Sequence, residues 1–230
     1  MAPKYNRKKP AQYKPKQKSK TGLIVGIIAL IVVVIGASYV VAQSMDNNSN
    51  PSPTATPTAS PVPSPTPATN ETRVLLQTSM GNITLQLRDD KPSTTANFLK
   101  LVVQGKYDGT VFHRIMKTFM IQGGSVSGSL SSIQDEIGTN NHNYNYTIAM
   151  AKTILPNSAT SGFFINTVDN SGIVYDDGTK FDETYTAFGT VVEGTDVVDA
   201  IANVPVTTNS SGELSQPTQT VTLIKASIIA

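Results

Sequence analysis

Between residues 21 and 45 the chain carries no charged side chain, and residues 22–42 read GLIVGIIALIVVVIGASYVVA. A helix on the surface of a globular domain keeps a polar face, and this run has none. At the helical rise its 21 residues cover about 30 Å, the thickness of a bilayer's hydrocarbon core. Isoleucine and valine are modest helix formers in water. In lipid the backbone must satisfy itself internally, so a transmembrane helix is expected over residues 21–43. Residues 1–20 hold eight Lys or Arg and no acid, which assigns that tail to the cytoplasm and the C-terminal bulk to the outside. The competing expectation is a cleaved signal peptide with Val40-Val41-Ala42 as its small-residue site, giving a product secreted after cleavage near Ala42. The apolar run exceeds the roughly 7–15 residues of a signal's core, which favours a retained, single-pass anchor. The basic tail also suits anionic headgroups. No nucleic-acid partner is expected, because no folded reader accompanies it.

Residues 44–70 form a linker. Seven prolines fall between residues 51 and 67, interleaved with Ser, Thr and Ala. Such a composition buries too little apolar surface to repay ordering, so a disordered, extended tether is expected. In polyproline II, at about 3.1 Å per residue, it reaches on the order of 50 Å. Residues 71–230 are long enough for one domain with its own core. Beyond residue 70 there are ten Lys or Arg against fifteen Asp or Glu, about −5, although the whole chain is +2. The basic character therefore belongs to the tail, and the folded part offers no basic face. The absence of cysteine removes disulfides and thiol chemistry.

Within the folded part, Ile83, Leu85 and Leu87 alternate with Thr84, Gln86 and Arg88, as in a half-buried strand over 82–88. A hairpin turn at 79–82 joins it to a strand over 74–78. Pro92 opens a helix at its first turn, Thr95, Phe98, Leu99 and Val102 give that helix an apolar stripe, and Gly105 ends it. Short β-rich runs follow at 110–116, 119–122, 146–151, 162–166 and 187–192, then a helix at 196–202 and a strand at 220–229. The expected fold is mainly β, a closed antiparallel barrel capped by two helices.

Few chemistries fit. His113 and His142 are far apart, with no Cys or carboxylate spaced to join them, so no metal site and no cofactor are expected. His113, inside a β-run, reads as a partly buried structural histidine. Residues 124–128, GSVSG, are not a nucleophile elbow, since Val126 occupies the centre. Asp135-Glu136 and Asp176-Asp177 read as solvated loop pairs. Arg114 stands apart. An arginine within the apolar run VFHRIMKTFMIQGG, residues 111–124, must either pair structurally or face a cleft.

That same run resembles the FHR and FM-QGG signature of the cyclophilins, the prolyl cis/trans isomerases. The resemblance extends from TSMGNITLQLRDDKPSTTANFLKLVVQGKYDGTVFHRI through YTIAMAKTILPNSATSGFFINTVDN to FGTVVEGTDVVDAI. It implies eight strands in the barrel and a proline site on its outer surface. Carried across by position, it implies catalytic roles for Arg114 and for Gln122, which fixes the substrate backbone and the arginine. It implies a proline pocket made by Phe119, Met120 and Phe164 with Ile173 as a further wall, main-chain pairing with the peptide at Ala151 and Lys152, and a substrate contact at Tyr185. The partners so implied are proline-containing polypeptides, which the expected topology makes exported or surface proteins.

The sequence also departs from the family. Gly162 replaces the glutamine before the double phenylalanine, and Ser125 the aspartate after the double glycine. Lys152-Thr153 replace Asn-Ala, and 172–180 is an insert lacking the tryptophan of cyclosporin-sensitive members. A catalytically weak module that binds proline peptides is the alternative expectation.

Overall fold

The computed structural model describes residues 72–229. The expected basic tail, apolar span and proline-rich linker lie outside the described residues. Among the described residues no helix is long and apolar enough to cross a membrane.

Strands β1 (Arg73–Thr78) and β2 (Gly81–Leu87) form the first hairpin. Thr78 makes the turn that Met80 gives no sign of: its hydroxyl donates to Gly81 O at 2.7 Å and accepts the Met80 N–H at 3.1 Å. This side-chain turn leaves Met80 free to pack on the core. Ile83, Leu85 and Leu87 are buried as the alternation requires. Thr84, on the opposite face, is buried as well and donates to Glu193 at 3.0 Å.

Helix α1 (Pro92–Val103) buries Thr94, Phe98, Leu101 and Val102, so its stripe is rotated from the expected one. Thr95 is half-buried and spends its hydroxyl on Arg88 O, 2.9 Å away. The helix start is capped from a distance. The Glu136 carboxylate accepts the N–H groups of Ser93 at 3.0 Å and Thr94 at 2.8 Å, meeting two donors that the helix cannot satisfy itself. Asp135 beside it pairs with Lys152 at 2.7 Å. These two acids are thus structural rather than solvated, while Asp176 and Asp177 are exposed as expected.

The remaining elements are β3 (Thr110–Val111), β4 (Arg114–Met116), β5 (Met120–Gly123), β6 (Thr147–Met150), β7 (Phe163–Asn166), β8 (Ala187–Glu193), α2 (Thr195–Ala202), β9 (Val206–Thr208), β10 (Leu214–Pro217) and β11 (Thr222–Ile229). Nine strands form one antiparallel sheet in the order β3-β11-β1-β2-β8-β6-β7-β5-β4. The run expected as one strand over 110–116 is broken at Phe112-His113. Phe112 N–H donates to Val221 O at 2.9 Å, and His113 N–H to Gln122 O at 3.0 Å. In two residues the chain changes partner from β11 to β5. The sheet curls until its two edge strands are consecutive pieces of chain, and the expected eight-stranded closed barrel is instead a curled sheet of nine strands. Burial of the His113 ring lowers its pKa although part of the residue faces solvent, in keeping with a partly buried histidine. The hairpin β9–β10 was not foreseen and lies against β4.

Two cores share this sheet. The larger joins both helices to one face and includes Phe98, Tyr107, Phe112, Phe163 and Phe188. The smaller, Met120, Ala149, Phe164, Phe181 and Ala187, covers the other face of β5 to β8. Neighbours on one strand therefore serve opposite cores, as with Phe163 and Phe164, and β7 is buried throughout. The double glycine after Gln122 follows from this crowding. Gly124 sits at φ +68°, and a Cβ there would stand 2.5 Å from the Phe163 ring.

Candidate active site

The site is built by strand register. Arg114 on β4 pairs with Gln122 on β5, Gln122 with Phe164 on β7, and Phe164 with Ala149 on β6. Opposed residues share a face, so this row lies on the side of the smaller core. The turn between β4 and β5 spans Lys117 and Thr118 and closes with Phe119 N–H on Met116 O at 2.9 Å. Its far side is pinned by Asn170, which is buried and donates to Phe119 O at 2.8 Å, and by Thr167, which donates to Lys117 O at 3.0 Å.

The row opens into a hollow lined by Arg114, Phe119, Met120, Gln122, Ala151, Lys152, Phe164 and Tyr185. These are eight of the nine residues expected there. The ninth expected residue, Ile173, packs behind the smaller core and accepts the Phe181 N–H at its carbonyl; it does not line the hollow. Phe181 takes that place. Its ring meets Phe119 at 5.5 Å, Phe164 at 5.9 Å and Tyr185 at 4.7 Å between centroids, forming a tilted aromatic floor. Tyr175, from the insert at 172–180, supports Phe181 from outside at 6.4 Å. Neither aromatic was foreseen, because the insert that holds Tyr175 and the short turn after it that holds Phe181 follow no strand or helix period.

Arg114 supplies the charge. Its Nε and Nη2 each donate to one oxygen of Glu213 at 2.7 Å, a bidentate pair whose side chains are 12% and 6% exposed. The third nitrogen, Nη1, has only long contacts, 3.4 Å to Gln122 Oε1 and 3.8 Å to Met120 Sδ. The guanidinium carbon lies 5.9 Å from the centre of the Phe119 ring. The arginine is therefore both paired and turned to a cleft, with one edge committed and the other open. Glu213, delivered by the unforeseen hairpin, carried no sequence signal: a lone acid in a polar loop 99 residues from its partner.

The other polar groups are largely spent. Lys152 ends on Asp135, its side chain 7% exposed, so it lends the hollow its stem rather than a free charge. Ala151 N–H donates to Gly162 O at 2.9 Å, so that donor is spent within the fold. Burial holds the Tyr185 phenol above its ordinary value of 10, against the opposing effects of Tyr175 and Arg114, and it stays protonated at neutral pH. The lining contains no serine, cysteine or histidine, and no carboxylate. An apolar cup with one desolvated cationic donor can hold a small apolar ring and stabilise a neutral acceptor beside it.

The family described as "Cyclophilin type peptidyl-prolyl cis-trans isomerase/CLD" matches residues 73–228. A peptidyl-prolyl cis-trans isomerase of Streptomyces antibioticus, cyp18, is 45% identical over 163 residues, covering 68% of this chain and 98% of that one. Peptidyl-prolyl cis-trans isomerase B of Escherichia coli K12 is 39% identical over 138 residues, covering 57% and 84%. Among solved structures, a cyclophilin-type isomerase of Cryptosporidium parvum, crystallised in the presence of the dipeptide Ala-Pro, overlays with a TM-score of 0.58. It is 24% identical and covers 69% of this chain and 99% of that one, a likeness of fold.

Proposed function

The chain belongs to the cyclophilin-type peptidyl-prolyl cis-trans isomerases, and from that membership we propose that Arg114 drives isomerisation of X-Pro bonds held in the hollow between β4, β5 and β7. Amide conjugation opposes the rotation with roughly 18–20 kcal/mol, so the uncatalysed event takes tens to hundreds of seconds. No bond is broken, and no nucleophile is required. In the twisted amide the prolyl nitrogen becomes pyramidal and regains a lone pair. The open Nη1 edge of Arg114 donates to that lone pair, which the planar ground state lacks, so the contact favours the transition state. Phe119, Met120, Phe164 and Phe181 hold the ring, and Gln122 restrains a neighbouring carbonyl. Bringing ~100 s to about a millisecond takes roughly 7 kcal/mol, within reach of a desolvated donor combined with orientation.

The observation that carries this reading is the unspent Nη1 over the aromatic cup. In a protease-coupled assay of the full chain, Arg114→Ala is expected to keep the fold and lose most turnover; undiminished turnover sinks the role. The second reading, a weak proline-binding module, draws on Gly162, which brings no side chain to the site. Exchange spectroscopy on an X-Pro peptide separates the two, since binding shifts peaks and catalysis adds cis/trans cross-peaks.

The substrates we assign are exported or surface polypeptides, met just outside the membrane by a domain anchored through residues 21–43 with the N-terminus cytoplasmic. The charge-free run and the basic residues before it support this placement. Protease added to intact cells is expected to degrade the folded domain. Mature protein beginning near residue 43 replaces the anchor with secretion.

A further inference from the structure

We propose that Glu213 is a positioning residue for the isomerisation: it holds the Arg114 guanidinium by one side, so that the opposite edge alone meets the prolyl nitrogen. The inference rests on the reading of Arg114 given above. A free arginine swings about several single bonds and offers five N–H groups in many directions. Here both oxygens of Glu213 lie 2.7 Å from Nε and Nη2, a fork that fixes the plane of the guanidinium as well as its place. What faces Met120, Gln122 and an incoming ligand is the opposite edge, whose Nη1 makes the two long contacts. Gln122 alone does not hold the plane, because its contact to Nη1 is 3.4 Å long.

The carboxylate is itself secured. Glu213 N–H donates to Asn209 Oδ1 at 3.0 Å, and Glu213 O accepts the Asn209 N–H at 2.8 Å. Asn209 Oδ1 also accepts the Ser211 N–H at 2.9 Å, and Asn209 Nδ2 reaches Ser215 at 3.2 Å. Gly212, at φ +86°, allows the turn. One asparagine thus ties the β9–β10 loop to itself and presents the acid to β4. Burial opposes ionisation of Glu213, but hydrogen bonds from Arg114 and Ser215 and the Arg114 charge outweigh it and hold the carboxyl below its ordinary value of 4.5. It is an anion wherever the enzyme works near neutral pH.

A hairpin staple with no part in the reaction would use the same contacts, and kinetics separate the two roles. The test takes the full-length chain and measures kcat and KM for an X-Pro peptide in wild type, Arg114→Ala, Glu213→Gln and Glu213→Asp. Glu213→Gln keeps the volume but sets an amide N–H against one of the guanidinium donors, and Glu213→Asp keeps the charge but shortens the reach. Each is expected to lower kcat about tenfold, the scale of a slightly misplaced catalytic group, with KM within about twofold. The Arg114 Nε–H resonance, protected in wild type, is expected to exchange rapidly in Glu213→Gln. A folded Glu213→Gln with lost protection and unchanged kcat overturns the proposal. Should that variant not fold, an unchanged kcat in Glu213→Asp overturns it equally. Inert wild type, or an Arg114→Ala as active as wild type, refutes the reading of Arg114 instead.

Discussion

At the scale of single residues, one guanidinium meets two demands that the sequence leaves undecided between them. An arginine in an apolar run either pairs or faces a cleft; Arg114 does both, because Glu213 takes one side of its fork and leaves the other. Gly162 is the reverse case, a position where the residue does less than its surroundings allow. A Cβ there would meet only Ala151 Cβ at 3.4 Å and Gly123 O at 3.9 Å, so the backbone at this position accepts a Cβ. Gly162→Gln is expected to add a polar contact to bound peptide worth about 1 kcal/mol, lowering KM severalfold with kcat little changed. Titrating initial rates against peptide concentration checks this, and an unchanged or raised KM counts against it. Arg114 was legible as a lone charge in an apolar run, whereas Gln122 and the apolar walls were named only through the family resemblance. Glu213 and Phe181 were reached by neither, since their places depend on how distant loops fold back.

At the scale of elements, the β4–β5 hairpin is the part on which the site turns. It places Arg114 opposite Gln122 and carries Phe119 and Met120 on its return. The β-rich runs at 110–116 and 119–122 pointed to its strands, and burial on both faces explains why the neighbouring β7 shows no alternation at all. What the pattern missed was the break at Phe112-His113, where the hydrogen-bond partner changes from one residue to the next. It also missed β9–β10, whose burial is mostly partial or slight and so leaves little hydrophobic signal. The hairpin is fastened from behind by Asn170, which donates to Phe119 O and, at 2.7 Å, to Asn166 Oδ1. Asn170→Ala strands the buried Asn166 oxygen and weakens the hold on Phe119. It is expected to cost about 2 kcal/mol in urea unfolding; a loss within error of zero would mean that the fastening is redundant.

For the whole molecule, acids hold distant elements together, and this gives stability a definite dependence on pH. Glu136 joins the 135–136 loop to the start of α1. Burial opposes its charge, but the Thr94 and Ser93 donors prevail and keep its carboxyl below the ordinary 4.5. Glu213 joins β9–β10 to β4 and is held below the same ordinary value. Both groups thus release their protons more readily in the folded chain than in the unfolded one. Well above 4.5 both states are ionised and the stabilisation is complete; as the pH falls past 4.5 the unfolded chain binds protons first, and stability declines until the lower folded values are reached. Tyr107 acts at the other end. Burial raises its phenol above the ordinary 10, so above that pH the unfolded chain ionises first and stability falls again. Burial also lowers the His113 pKa from its ordinary 6.5, so below that pH the unfolded chain takes up this proton first and stability slips. The melting temperature is therefore expected to be highest between about pH 7 and 10, to fall gently below about pH 6.5 and more steeply below about pH 4.5, and to drop above about pH 10. Glu136→Gln should lower the neutral plateau and shrink the acid drop, because the contribution it removes is the one that protonation would have removed. An acid drop of undiminished size in that variant would place the sensitivity in other carboxylates and break the link between the helix cap and acid stability.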